Sequence, residues 1–100
     1  MTQNEHLLTV VAEEAGEITQ ATTKIMRFGL DNYNPFKPEE NNEDSLLTEF
    51  YQLQGMIEHL QEIGYLKTLS QEEIQKIKDS KILKVYHYME EAKRAGTIKE

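Results

Sequence analysis

The sequence predicts an all-α protein of three principal helices, or four if the last one breaks, forming a bundle that oligomerisation completes. Two observations carry the helical expectation. Apolar residues recur at spacings of three and four without strand-like alternation, and capping and breaking residues fall between the periodic stretches. A third observation concerns size: 100 residues with 38% hydrophobic content and a mean hydropathy of -0.67 make a single domain, residues 1–100, with a lean core. Ordering each residue costs roughly 1 to 2 kcal/mol of conformational entropy. Helix pairing between copies, as a homodimer or homotetramer, is the expected source of the missing burial.

Leu7, Leu8, Val11, Ala15, Ile18, Ala21, Ile25 and Met26 mark one face of a first helix from about Gln3 to Phe28, with Gly29 as its end. The segment LDNYNPFKPEENN, residues 30–42, holds both prolines and four of the five asparagines, so it reads as a loop and a candidate substrate lid. A second helix starts near Asn42 or Asp44, whose side chains suit the orphan amides of a first turn, and Glu43 and Asp44 complement the helix dipole. Its inward stripe reads as Leu46, Phe50, Leu53, Ile57 and Leu60, and Gly64 supplies its stop.

Ser70 and Glu73 match the S-x-x-E capping box and open a third helix at Gln71. Its stripe begins with Ile74 and Ile77, shifts phase around Asp79 and Ser80, and resumes at Ile82, Val85, Tyr86, Met89 and Ala92. That pattern gives one kinked helix or two short ones. Gly96 closes it, behind Lys93 and Arg94 in the last turn.

Composition narrows the chemistry. With no cysteine, disulfides, thiolate zinc sites and a cysteine nucleophile are excluded, and any metal is left to oxygen or imidazole. No apolar run approaches the roughly 20 residues that span a bilayer, and MTQNEHLL lacks a basic stretch followed by an apolar one. The expected location is cytoplasmic, with no membrane partner. Residues 1–63 carry twelve acidic and three basic side chains, whereas 64–100 carry six acidic and eight basic. A nucleic-acid partner needs a basic surface that the first part lacks. Clustered acids suit a cation, and the basic tail suits the anion that a cation brings.

The segment AEEAGEI places Glu14 and Glu17 three residues apart, side by side on a helix and at the edge of the Val11/Ala15/Ile18 stripe, with Glu13 nearby. Left alone, these carboxylates repel. TEFYQL gives Glu49 and Gln52 the same spacing, and antiparallel packing of the two helices would bring the pairs together. Oxygen donors at i and i+3 on two helices build either a metal site, for which Mg²⁺ is best suited, or an ordinary solvated acidic face.

EHLLTVVAEEAGEITQATTKIMRFGL, followed after a polar loop by LLTEFYQLQGMIEHL, resembles the MazG-like all-α nucleoside triphosphate pyrophosphohydrolases, which have E-E-x-x-E on one helix and E-L-x-D-L on the next. Roughly residues 5 to 63 carry the match, and the ending KVYHYMEEAKRAGTI is similar to the C-terminus of small phage-type and bacterial members. The resemblance implies a MazG-like helical domain in which Glu14, Glu17 and Glu49 ligate Mg²⁺, with Mn²⁺ as a substitute, and a nucleoside triphosphate is cleaved to the monophosphate and pyrophosphate. Glu14 and Glu17 are the expected catalytic pair. Gln52 stands where the family has aspartate; its amide oxygen can ligate but carries no charge.

Phosphate also calls for cations from the protein. Lys24 lies two turns beyond Glu17 and Arg27 one turn later, and Lys81 and Lys84 form an i, i+3 pair on the third helix; each is a phosphate ligand or a solvated charge. Tyr33 and Phe36 in the loop are the candidates for stacking on a base, whereas Tyr86, Tyr88, Met56 and Met89 read as core or dimer-contact residues. Two other readings compete with the enzyme: a nucleotide-binding module that lost turnover through Gln52, and a helical interaction protein whose acids are only solvated.

Overall fold

The computed structural model describes residues 1–99, and among them three helices account for the regular structure: α1 (Gln3–Phe28), α2 (Asn42–Glu62) and α3 (Gln71–Ala95). The residues group into two compact units. Met1–Lys67 holds α1, the loop and α2, and the second unit, from Thr68, holds α3. Among the described residues, no helix is long and apolar enough to cross a membrane.

Each helix opens on a capping box, in which a side chain and the third helical residue exchange hydrogen bonds with each other's backbone. The pairs are Thr2 with Glu5, Asn41 with Asp44, and Ser70 with Glu73. The second box bears out an α2 start at Asn42 and moves the cap to the residue before it. Asn41 is the cap, its Oδ1 accepting from the Asp44 amide at 2.8 Å, and Asn42 is already helical. At the other end Gly64, with φ +81°, lets the chain turn back: its amide donates to the Gln61 carbonyl and the Tyr65 amide to the Leu60 carbonyl. Gly96 closes α3 in the same way, with φ +77°.

Within the first unit α1 and α2 pack together. They run antiparallel: the start of α2 touches the end of α1, where Asn42 Nδ2 donates to the Gly29 carbonyl at 2.9 Å, and Glu49 lies beside Glu14 and Glu17 farther back. On α1 the line turned from solvent is Leu7, Val11, Glu14, Ile18, Ala21 and Ile25, and on α2 it is Asn42, Leu46, Glu49, Leu53, Met56 and Leu60. Both lines step alternately by four and three, the pattern of a two-helix seam.

That seam differs from the expected stripes. Leu8, Ala15, Met26 and Phe50 are exposed, because the seam passes through Glu14 and Glu49 rather than around them. The apolar side chains that are fully withdrawn are Ala21 and Leu60. A core this small matches the leanness of the composition.

The loop between α1 and α2 is tied to itself. The Asn42 amide donates to the Asn32 carbonyl and the Glu43 amide to the Leu30 carbonyl, at 2.8 and 3.1 Å. Tyr33 and Asn41 form an antiparallel bridge, and the Asn34 side chain accepts from the Phe36 amide at 2.9 Å.

The third helix is continuous, so the phase shift at Asp79 and Ser80 does not split it. Most of its apolar residues, Ile77, Ile82, Leu83 and Val85 among them, are exposed, and none of its side chains is buried. Tyr86 and Tyr88, read from the sequence as core or contact residues, are both more than half exposed.

Candidate metal centre

Antiparallel packing aligns the polar turn of α1 with that of α2. Glu14 and Glu49 enter from the two seams and Glu17 from one turn along α1, and one oxygen from each carboxylate falls within 4.8 Å of the others. Glu14 and Glu49 are half-buried, while Glu17 is exposed and leaves the cluster open on that side. Three carboxylates with an open side form an all-oxygen donor set, of the kind hard divalent cations take, with room for water or a phosphate oxygen.

Gln52, one turn beyond Glu49, meets the same cluster. Turned with its amide nitrogen toward the acids, it donates to Glu14 Oε2 at 3.2 Å and to Glu49 Oε2 at 3.0 Å. The orientation follows from partner logic, since the Glu14 and Glu49 oxygens that it faces are acceptors. In this arrangement Gln52 neutralises repulsion as a donor, whereas the sequence reading gave it the role of an oxygen ligand. Rotating the amide by half a turn exchanges one role for the other.

Crowding shows in the acidity of Glu49. Desolvation, then hydrogen bonds shared with Glu17 and Glu14, then repulsion by their charges, push its carboxyl from 4.5 up to about 7. Glu49 therefore keeps its proton up to near neutrality. A divalent cation relieves the same repulsion that holds this proton in place.

Neither residue considered as a replacement for the missing aspartate joins the cluster. Glu13 is exposed and is not part of the trio, and Asp44 Oδ2 is engaged at the helix start by the Asn41 amide at 3.2 Å. Compared with family models, curated proteins and solved structures, the chain matches none. The site therefore stands on its own geometry.

The expected phosphate ligands divide between the two units. Lys24 lines a cleft of about 220 Å³ between the end of α1 and the loop, together with Phe28, Asn32, Tyr33 and Asn42. Arg27 lies over the Phe28 ring, 5.1 Å from its centroid. In the second unit Lys81 and Lys84 stand one turn apart on α3 and border an open groove with Val85, Tyr88 and Met89. Of the two loop aromatics, Tyr33 belongs to the cleft and Phe36 is 96% exposed. Asn32 and Phe28 were not singled out from the sequence; the asparagine density of the loop was the available signal.

Proposed function

We propose that this chain is a MazG-like, Mg²⁺-dependent nucleoside triphosphate pyrophosphohydrolase, converting an NTP or dNTP and water to the monophosphate and pyrophosphate. The observation that carries the reading is the meeting of Glu14, Glu17 and Glu49 from two helices within 4.8 Å. Their donor chemistry fits the ion: all three offer carboxylate oxygen, which magnesium and manganese favour over nitrogen or sulfur. When bound, such an ion neutralises phosphate charge and lowers the pKa of a coordinated water.

The chain's own residues do the remainder. Glu14, Glu17 and Glu49 would hold the cation, and Glu14 would accept a hydrogen bond from the attacking water, orienting it and taking its proton. Attack at the α-phosphorus forms the new P–O bond as the α–β anhydride bond breaks and pyrophosphate leaves. Lys24 supplies positive charge along the same helix, and Lys81 and Lys84 are further candidates. Among the described residues Ala21 and Leu60 are the buried apolar side chains, while Leu47, Phe50 and Tyr51 are exposed, which supports pairing of copies as a homodimer or homotetramer. The cytoplasm, where nucleotides and magnesium are abundant, is the proposed location.

A second reading has its own observation. Gln52 places a neutral donor between Glu14 and Glu49, where a fourth acid would add charge, and that favours nucleotide binding with slow or absent turnover. A panel of standard and modified nucleoside triphosphates with Mg²⁺ or Mn²⁺, read as phosphate after added pyrophosphatase, tests both. Pyrophosphate release that Glu17→Ala lowers at least about a hundredfold supports the enzyme. A folded protein that binds nucleotide and releases nothing supports the second reading, and one that neither binds nor hydrolyses any nucleotide refutes both.

A further inference from the structure

The cleft at the loop end of the α1–α2 hairpin is built from parts that suit a flat heteroaromatic ring. Its walls include the rings of Phe28 and Tyr33, each about half exposed, and its rim carries the Lys24 ammonium and the Asn32 amide. Among the described residues, the side chains of Lys24, Asn32 and Tyr33 have no hydrogen bond or ion pair, so their polar groups are free to meet a ligand. Beneath them the backbone is fixed. Asn42, 8% exposed, ties α2 to the Gly29 carbonyl through Nδ2, and its own amide holds the Asn32 carbonyl at 2.8 Å. A ligand entering there meets a shape already formed, which lowers the ordering cost of binding.

Size and position narrow the class. At about 220 Å³ the cleft is smaller than the roughly 300–1,000 Å³ of pockets that enclose whole drug-sized ligands. One ring system fits it better than a complete nucleotide. Lys24 lies seven residues from Glu17 on the same helix, about 10 Å of rise, a distance that an extended nucleotide bridges and a free base does not. We infer that the cleft formed by Lys24, Phe28, Asn32 and Tyr33 is a nucleobase subsite, with the base against Tyr33, its polar edge toward Asn32, and Lys24 between the base and the phosphates at the acidic cluster.

This inference rests on the reading of the acidic cluster as a phosphate and metal site, and the test separates the two. Calorimetry in Mg²⁺ compares non-cleavable α,β-imido nucleoside triphosphates with inorganic tripolyphosphate. At least one nucleotide binds the wild type about tenfold more tightly than tripolyphosphate, the margin that one stacked aromatic provides. Tyr33→Ala removes that margin, Tyr33→Phe keeps it, and tripolyphosphate affinity stays the same throughout. Should Tyr33→Ala fail to fold, Asn32→Asp carries the same test, because it sets a charge on the exposed rim and leaves the backbone bond to Asn42 in place.

Equal affinity for tripolyphosphate and every nucleotide, or a margin that survives these substitutions, overturns the subsite and leaves the phosphohydrolase reading standing. Absence of binding by nucleotides and tripolyphosphate alike overturns both.

Discussion

Glu14 and Glu49 occupy facing positions in the seam between α1 and α2, and the Gln52 amide nitrogen bridges them at 3.2 and 3.0 Å. Two-helix seams ordinarily fill such positions with apolar side chains. Like charges placed there oppose folding unless a proton, a donor or a cation intervenes; the raised pKa of Glu49 favours the first, and the Gln52 amide supplies the second. A seam that would be more stable with leucine at these positions is the physical sign that the acids serve something other than packing.

Protonation of Glu49 sets a pH dependence whose sign is unusual for a carboxylate. Its folded pKa, about 7, lies above the ordinary 4.5, so the folded chain holds a proton that the unfolded chain releases between those values. The stabilisation is complete below 4.5 and is lost as pH rises through about 7. Thermal melts without metal should show wild type losing stability across that interval relative to Glu49→Gln, which is the more stable protein above it by a few degrees. Metal binding must expel the Glu49 proton, so Mg²⁺ affinity should rise with pH up to about 7 and calorimetry should detect proton release.

Restoring the acid at position 52 should shift the balance from proton to metal. Gln52→Asp removes the donor that bridges Glu14 and Glu49 and adds a like charge, so the apo protein melts at a lower temperature. Its midpoint should rise more with Mg²⁺ than the wild type's does, by mass action on a tighter site. Differential scanning fluorimetry with and without the ion reads both effects, and an Mg²⁺ response no larger than wild type's would count against a charge-limited site.

Leu60 has an exposure of 0% in a unit with few withdrawn side chains. Leu60→Ala should therefore cost about 2–5 kcal/mol, as deletion of a buried leucine does where little can collapse into the space. Urea denaturation measures this as a fall in the midpoint with the slope retained.

Gly64 isolates a backbone effect. No atom lies within 4 Å of where a Cβ would stand, so Gly64→Ala creates no clash, yet φ of +81° is costly for any residue with a side chain. The expected loss is about 1 kcal/mol, again from urea denaturation. Gly16→Ala, at an equally open helical position, should be neutral or stabilising by comparison.

Helix ends were legible because they depend on local chemistry. Ser70 with Glu73 announces α3, and Gly64 and Gly96 stop their helices as their backbone freedom allows. Thr2 with Glu5 carried the same signal at α1, and Asn41 with Asp44 placed the α2 cap one residue before the expected position. The meeting of Glu14, Glu17 and Glu49 was legible from three-residue spacing on two antiparallel helices.

The phase of the packed faces was less so. Counting only apolar residues drew Ala15 and Phe50 into the stripes, since sequence periodicity does not reveal that a glutamate takes a seam position. The cleft around Asn32 and Tyr33 depends on hydrogen bonds between residues about ten apart in a loop, which no periodic pattern encodes.

The proposed metal centre places one hard cation among Glu14, Glu17 and Glu49. Substoichiometric Mn²⁺ added to ¹⁵N-labelled protein measures this directly, because the unpaired electrons broaden nearby amide resonances. Broadening should centre on residues 14–17 and 49–52, be reversed by excess Mg²⁺ and be absent in Glu17→Ala. Broadening spread along the acidic surface, or centred elsewhere and unchanged by that substitution, would contradict it.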